Sequence, residues 1–568
     1  RTFVKLGTIN KDALLYGLNL DINLGVDFTD YGRTTTNDKY HGNAASQGGT
    51  VSKYNTRTMS YTLNELLTYR RKYGEHSVDL LAGHEYYRYN YNYQLGSKSG
   101  IVDGIDELGS AVTTLSNTSY SNDYAIESVL ARLNYGFRDR YYFDASWRTD
   151  GSSRFHKSNQ WGNFWSVGAS WRISEENFMK STSDWLNNLT LKASYGVQGN
   201  DNLGSYYVWQ GRFSYGWANG TRPGSTASSI ENKLVTWEKN GNLNTGIEAS
   251  MFGGRLTSTI EYYSRRTRDM LLNNPLAISS GFSGYDDNVG SMVNRGLETS
   301  FRGVIFDRSN FHWDASLMLS MNRNKVTELT SSQDVINYGS VVIEKGKPIY
   351  TFYMSKSAGV SPSTGRQLYY AYYRYAVDKT GSIVTEKCDE YVTDNVGLAS
   401  LSKYYYGSRQ ALFSGSFSSN FTFFKNFDFS FLTTFSVGGK IYDSLYGGAM
   451  NVTYAGNNWH KNVLRRWQQP GDITDVPLVE IGGSRSSTGE ELIDASYFAI
   501  KNITLGYTLP SSLTKKAGIG ACRVFVTADN LALFCNMNGM DPQYNFTGTV
   551  SYTYTPSRVV AAGIDINF

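Results

Sequence analysis

Residues Leu14 to Thr29 read LLYGLNLDINLGVDFT, and this stretch decides the fold class. Every even position up to Phe28 is aliphatic or aromatic, and every odd position from Gly17 onward is glycine, asparagine, aspartate or threonine. A period of two predicts a β-strand with one apolar and one polar face. The run is longer than the strands usual in soluble proteins, and it reaches the length of about nine to eleven residues that a tilted membrane strand needs. The segment therefore predicts a strand that crosses a membrane.

The same alternation recurs along the whole chain. We count roughly sixteen to eighteen segments of the length that a membrane strand needs. They include 129–137, 141–148, 165–173, 189–197, 313–321, 414–424 and 427–438. The pattern predicts an all-β protein, a transmembrane antiparallel β-barrel.

The predicted connections have two sizes. Short turns are expected at 138–140, 253–254 and 425–426. Long polar loops are expected at 31–57, 96–122, 199–233, 268–295, 324–412 and 439–495. Short turns on one side and long loops on the other are typical of outer-membrane barrels.

Composition excludes several other classes of protein. The 568 residues carry a net charge of +4, with 54 Lys and Arg against 50 Asp and Glu, so nucleic acid is not an expected partner. No run of 18 apolar residues occurs, which excludes membrane-spanning helices. Aromatic residues reach 15%, while charged residues are only 18% against about 25% in soluble domains.

The sequence carries no pattern typical of catalysis. Its six histidines have no HExxH spacing, and no GxSxG motif occurs. We therefore predict that the chain is not an enzyme and has no cofactor.

Five segments resemble, in order, motifs of the SusC/RagA family of TonB-dependent outer-membrane transporters from the Bacteroidetes. They are RTDGSSRF at 148–155, LKASYGVQGN at 191–200, NVGSMVNRGLE at 288–298, RWQQPGD at 466–472 and DASYFAIKNITLGYTLP at 494–510. The resemblance covers the chain from about residue 124 to the end.

This resemblance implies the fold, the location and the partners. The family fold is a barrel of about 22 strands in the cell outer membrane, with an N-terminal plug inside it. Since fewer strands are counted here, we expect residues 1–568 to be the C-terminal part of such a barrel, without the plug, the TonB box and the first strands. The implied partners are a SusD-like surface lipoprotein, the TonB-ExbB-ExbD complex, outer-membrane lipid and a bulky nutrient. Oligosaccharides come first as the substrate and peptides second.

One loop departs from the family pattern. Where many relatives have an acidic loop suited to a divalent cation, residues 378–385 read DKTGSIVT and keep a single aspartate. Because oxygen-seeking metals need several acidic ligands, we predict no metal site here.

Aromatic and amide side chains of the long loops are the candidate ligand contacts, because sugars need flat rings beside hydrogen-bonding groups. They are Asn202, Trp209, Tyr215, Trp217, Tyr454, Asn458 and Trp459. Each of these rings could instead belong to the aromatic girdle of the barrel. A further set, Arg148, Asp150 and Arg154, is expected to form a structural network.

Two other functions stay open. One is a passive porin, which would need no energy coupling. The plug region decides between a porin and a TonB-dependent importer. A secreted all-β adhesin would be soluble without detergent, but it leaves the apolar faces of the long strands unexplained.

Overall fold

The computed structural model describes residues 2–5, 15–202, 204–329, 334–454, 456, 458–536, 541–543, 548–550 and 554–568. In chain order, its strands are β1 (Thr2–Lys5), β2 (Leu18–Asn37), β3 (Thr50–Tyr73), β4 (His76–Ser99), β5 (Thr113–Phe137), β6 (Tyr141–Ser152), β7 (Trp161–Arg172), β8 (Leu186–Asn200), β9 (Arg212–Asn219), β10 (Arg222–Ser229), β11 (Glu238–Met251), β12 (Leu256–Arg268), β13 (Leu271–Pro275), β14 (Gly284–Asn288), β15 (Ser291–Arg308), β16 (Phe311–Glu328), β17 (Val335–Tyr338), β18 (Val341–Glu344), β19 (Thr351–Val360), β20 (Gln367–Val377), β21 (Ile383–Thr393), β22 (Lys403–Ser408), β23 (Phe413–Phe423), β24 (Phe427–Val437), β25 (Lys440–Asp443), β26 (Leu492–Asp494), β27 (Tyr497–Thr508), β28 (Ala521–Cys535), β29 (Thr549–Val550) and β30 (Val559–Asn567).

Helices are few and short. The α-helices are α1 (Val396–Leu401), α2 (Ser444–Ala449) and α3 (Ser511–Thr514), and the rest are single 3₁₀ turns of three to six residues. In the described part of the chain, no helix has the length and apolar character needed to cross a membrane.

The main sheet confirms the predicted fold class and strand count. Among the described residues it contains 17 strands, namely β1 to β8, β11, β12, β15, β16, β23, β24, β27, β28 and β30. Its strands pair antiparallel with neighbours in the chain, as in β2–β3, β3–β4 and β4–β5.

The chain divides into two compact units. The first comprises Arg1–Arg172, Lys192–Leu243 and Thr267–Val289. Within it, β2 pairs with β3 without interruption from Leu18 opposite Tyr69 to Asn37 opposite Thr50. The even residues of β2 point to the exposed apolar face, where Phe28 is 61% exposed. This arrangement confirms the apolar and polar faces read from the sequence.

The second unit comprises Ile173–Leu191, Asn244–Arg266 and Gly290–Phe568. It holds consecutive sheet neighbours from β15 to β30, and a separate six-stranded sheet of β17 to β22. That smaller sheet has its own core, in which Phe352 and Met354 are buried beside Val341. The prediction of a plain polar loop at 324–412 was therefore wrong, because this segment folds on its own apolar residues.

The short turns lie within one residue of where the sequence predicts them. Arg138 and Asp139 have φ values of 57° and 52°, and Phe424 and Lys425 have 50° and 66°. Two consecutive positive φ angles are typical of the hairpin turns that match the twist of paired strands.

The strands beside the long loops extend further than predicted. Strands β3 and β4 each have 24 residues and β5 has 25, so strand residues replace much of the loops predicted at 31–57 and 96–122. Beyond the lipid both faces of a strand meet water, so apolar and polar residues no longer alternate along the sequence, although the backbone pairing continues.

Candidate functional site

Tyrosines line the polar face of the first unit. Tyr87, Tyr89, Tyr91 and Tyr93 occupy alternate positions of β4, so all four share one face. Tyr93 lies directly opposite Tyr120 of β5, which is therefore on the same face. This is the face opposite to the exposed apolar one.

The rings form two contacting groups on this face, one from Tyr31 to Tyr91 and one from Tyr89 to Tyr87, which together we call the tyrosine row. From the loop end of the sheet, the ring centroids are 5.7 Å apart for Tyr31 and Tyr54, 6.2 Å for Tyr54 and Tyr93, and 5.0 Å for Tyr93 and Tyr120. The row continues from Tyr120 to Tyr91 at 6.0 Å. It is completed by Tyr89, Tyr206, Tyr124 and Tyr87, with spacings of 6.0, 5.9 and 6.1 Å.

Arg154 packs against two rings of this row, Tyr124 and Tyr206. Its guanidinium group lies 4.7 Å from the ring centre of Tyr124 and 5.0 Å from that of Tyr206. Its Nη1 donates hydrogen bonds to the Asp201 carbonyl (3.1 Å) and to Asn202 Oδ1 (2.9 Å). The side chain is only 12% exposed, so the cation is held between two rings and the loop backbone.

Asp201 joins the same cluster. Its Oδ2 accepts hydrogen bonds from the Tyr124 hydroxyl (2.8 Å) and the Ser152 hydroxyl (2.6 Å). The predicted ligand contact Asn202 is thus beside Asp201, with its amide oxygen already used by Arg154 and by the Gly204 backbone amide.

Of the three residues predicted as one network, Arg148 and Asp150 hydrogen-bond to each other, whereas Arg154 lies in the Asp201 cluster. Arg148 Nε donates to Asp150 Oδ1 at 2.5 Å, and Nη2 donates to Glu85 Oε1 at 3.0 Å and to Ser128 Oγ at 2.8 Å. The network lies on the polar face and ties β4, β5 and β6 together.

The three predicted aromatic contacts in 199–233 differ in environment. Trp209 packs against the apolar cluster of Phe155, Phe164, Val208, Val235 and Trp237 and contacts the His156 ring at 5.2 Å. Tyr215 and Trp217 lie in the β9–β10 hairpin and are 81% and 63% exposed. The structure therefore places Trp209 in a loop core and the other two rings in solvent.

In the second unit, the predicted residues lie on the surface of the 439–495 loop. Tyr454 is 63% exposed, Trp459 is 37% exposed and Asn458 is also exposed. They flank the apolar cluster of Met450, Val452, Val463 and Val476 without belonging to it.

The loop at 378–385 is closed by its single aspartate. Asp378 Oδ1 accepts hydrogen bonds from the Thr380 hydroxyl (2.6 Å) and from the backbone amides of Thr380 (2.8 Å) and Ser382 (2.9 Å). The hydroxyl of Thr380 and these amides lower the pKa of the carboxyl. Among the described residues, no group of three or more His, Cys, Asp or Glu side chains could hold a metal ion.

Sequence reasoning missed the tyrosine row. The signal was present in the segment EYYRYNYNYQ at 85–94, where every second residue from Tyr87 is tyrosine. Its partners Tyr31, Tyr54, Tyr120 and Tyr206 are far away in sequence. The strand register brings the first three alongside, and the folded loop after β8 brings Tyr206.

Comparison with known proteins gives the family. A family model described as TonB dependent receptor-like, beta-barrel, matches residues 5–531. The TonB-dependent receptor SusC of Bacteroides thetaiotaomicron is 27% identical, over 98% of this chain and 55% of its own length. The TonB-dependent receptor P3 of Formosa agariphila is 28% identical, over 88% of this chain and 50% of its own length.

A solved structure described as the RagAB peptide transporter is also similar. It is 29% identical with a TM-score of 0.84, over 97% of this chain and 60% of the solved chain. The chain spans about half the length of the curated relatives it matches. The matched family model, the 17-stranded sheet and these relatives agree. The chain therefore belongs to the TonB-dependent receptor β-barrel family, in its SusC/RagA group, and its location is the outer membrane.

Proposed function

We propose that the chain is the channel part of a TonB-dependent importer of bulky nutrients, with oligosaccharides as the first substrate class. A SusD-like surface lipoprotein would close over the long loops, and the TonB-ExbB-ExbD complex would supply the energy. Residues 1–568 would form the C-terminal part of the barrel, and the plug, the TonB box and the first strands would belong to further chain. The greater length of the relatives supports this division.

The observation that carries the proposal is the concentration of exposed aromatic rings at the long-loop side. The β9–β10 hairpin presents Phe213, Tyr215 and Trp217 to solvent at 60%, 81% and 63% exposure. Exposed rings that are grouped on one loop favour contact with a ligand or a partner. Single exposed rings are common on protein surfaces and carry no such indication. Asn458, Tyr454 and Trp459 are proposed contacts on the same grounds.

Peptides are the second candidate. The similar solved protein is described as a peptide transporter, and its fold match is high. A passive porin is the third, because a barrel without a plug or a lid would let small solutes diffuse through it.

The test is affinity copurification of the full-length protein from native outer membranes in detergent, with partners identified by mass spectrometry. A stoichiometric SusD-like lipoprotein is the expected result. A barrel recovered alone, or as a homotrimer, contradicts the lid and favours the porin. Uptake of a fluorescent oligosaccharide or of a labelled peptide mixture by cells, with and without TonB, then separates the two substrate classes.

A further inference from the structure

We infer that the tyrosine row is a binding track for neutral carbohydrate chains on the inner wall of the barrel. The inference rests on the proposed import function and deepens it, because it names the surface along which the substrate would move. It concerns the wall itself, and thus residues apart from the loop contacts proposed above.

The first argument is the face on which the rings lie. A membrane barrel turns its apolar face to lipid, so the polar face that carries the row is the inner one. Tyr61 and Tyr86 show the contrast, since they form a pair at 5.8 Å on the opposite, apolar face. The row therefore cannot be part of the lipid-facing aromatic girdle, whereas Tyr61 and Tyr86 can.

The second argument is the exposure of the rings. Tyr31 and Tyr120 are 49% and 50% exposed, and the β4 tyrosines are partly exposed. A cluster built for packing alone would exclude water, as the fully buried Val235 in the nearby loop core does. Within this chain, the tyrosine row leaves ring faces uncovered on the polar side.

The third argument is the chemistry around the rings. Opposite three of the β4 tyrosines lie Thr56 for Tyr93, Thr58 and Asn122 for Tyr91, and Ser60 for Tyr89. These neighbours are uncharged and carry hydroxyl or amide groups. A pyranose offers a flat C–H face and a rim of hydroxyls, and it can stack on a ring while it hydrogen-bonds to such neighbours.

The fourth argument is continuity. Centroid spacings of 5.0 to 6.2 Å, from Tyr31 through Tyr54 and Tyr93 to Tyr91, leave no gap as wide as a further ring. A chain of similar sugar units can therefore exchange one platform for the next without leaving the wall. The row starts near the ends of β2 to β5 that adjoin the long loops and leads towards Arg154.

The experiment measures binding to the full-length protein in detergent. Maltohexaose, laminarihexaose and xylohexaose are titrated by calorimetry, and the tightest binder is carried forward. Tyr91→Leu and Tyr93→Leu remove the rings, and each should weaken binding about tenfold, as loss of an aromatic anchor does elsewhere. Tyr91→Phe and Tyr93→Phe keep the rings and should retain most of the affinity.

Tyr86→Leu is the matched control, since it removes a ring from the same strand but on the apolar face. It should leave affinity unchanged, and heat-modifiable mobility on gels should show that all variants fold. As a second readout, the bound oligosaccharide should protect Tyr91 and Tyr93 from nitration, mapped by mass spectrometry.

Two results overturn the inference in different ways. If the Leu variants bind as the wild type does and nitration is unprotected, the track is wrong while the import function stands. If the wild-type protein binds none of the three sugars, the track is wrong as well. Uptake of labelled peptides in that second case would transfer the proposed function to peptides.

Discussion

Arg154 holds two rings of the tyrosine row, Tyr124 and Tyr206, beside the loop after β8. Its planar guanidinium contacts two rings and donates to Asp201 and Asn202, a geometry that an ammonium group cannot reproduce. We expect Arg154→Lys to loosen the loop at 200–210, seen as faster amide exchange there. Arg154→Ala should lower the free energy of unfolding by about 1–3 kcal/mol, more than Arg154→Lys does, because the mostly buried Asp201 carboxylate then lacks its cation.

The control for this prediction is a double variant. Asp201→Asn removes the charge but keeps a group that can accept hydrogen bonds, so adding it to Arg154→Ala should recover part of the loss. A double variant as unstable as the sum of the two single ones would mean that the pair is not coupled.

Two tryptophans of one loop should respond in opposite ways. Trp209 packs against the loop core, so Trp209→Ala should lower the free energy of unfolding by about 2 kcal/mol or more. Trp217 is 63% exposed, so Trp217→Ala should leave stability unchanged but reduce ligand or lipoprotein binding. Melting curves and copurification of the two variants provide the comparison. Equal stability losses would show that Trp217 is also part of a core.

The Asp378 turn should be sensitive to acid only at low pH. The folded carboxyl has a lowered pKa, so its stabilising effect is complete above the ordinary aspartate pKa of about 3.9 and is lost as the pH falls through the lower folded value. Amide exchange at Ser382 should thus stay slow from neutral pH to about pH 4. Asp378→Asn should retain the turn and remove its pH dependence, whereas Asp378→Ala should open the turn at every pH.

At the scale of elements, the β5–β6 turn offers a matched pair of substitutions. Asp139 has a φ of 52°, which glycine adopts freely and a β-branched residue adopts only under strain. We expect Asp139→Gly to be neutral or stabilising by up to about 1 kcal/mol, and Asp139→Val to be destabilising by about the same amount or more. Urea unfolding in lipid vesicles measures both. Equal stabilities would mean that the turn conformation relaxes around the substitution.

The sequence predicted the strands best where one face meets lipid. Between Leu18 and Phe28 the apolar residues alternate, and β2 lies there as expected. Towards Asn37 both faces are wet and the pattern disappears, which is why the prediction ended the strand too early. The smaller sheet of β17 to β22 was missed because its apolar residues occur in short runs within a long, mostly polar segment.

The site was less predictable than the fold. Exposure separates Trp209 from Tyr215 and Trp217, although all three are aromatic residues of one loop. Composition carries no information on exposure. The contact between Tyr89 and Tyr206 spans more than a hundred residues, and only the folded loop brings these two rings together.

At the scale of the whole molecule, three ionisable residues on the apolar face of the first unit allow a test of whether that face meets lipid. His84 lies with Nδ1 3.2 Å from Glu65 and Nε2 3.2 Å from Glu127. Its neighbours on that face include Leu80 and Ala82, which lie between His84 and the short turn that precedes β4. Ionisable groups on a lipid-facing surface are costly, and pairing lowers that cost.

We expect His84→Leu alone to destabilise the barrel by about 1–3 kcal/mol, because two carboxylates then face each other in an apolar setting. Replacing all three residues by leucine should restore stability to the wild-type value or above it. Reversible urea unfolding in vesicles compares the two variants. A triple variant less stable than His84→Leu would place this group outside the lipid.

The long strands have a consequence for the cell surface. At about 3.4 Å per residue and a tilt of about 45°, a strand of 24 residues rises roughly 55 Å along the membrane normal, while the apolar band of such barrels is about 25 Å tall. Roughly 30 Å of wall then stands clear of the lipid as a rim. Outer membranes carry a dense layer of lipopolysaccharide sugars, which a large solute crosses slowly. A rim of this height lifts the outer end of the wall through the inner part of that layer, so a large solute that reaches the rim has less of the layer to cross.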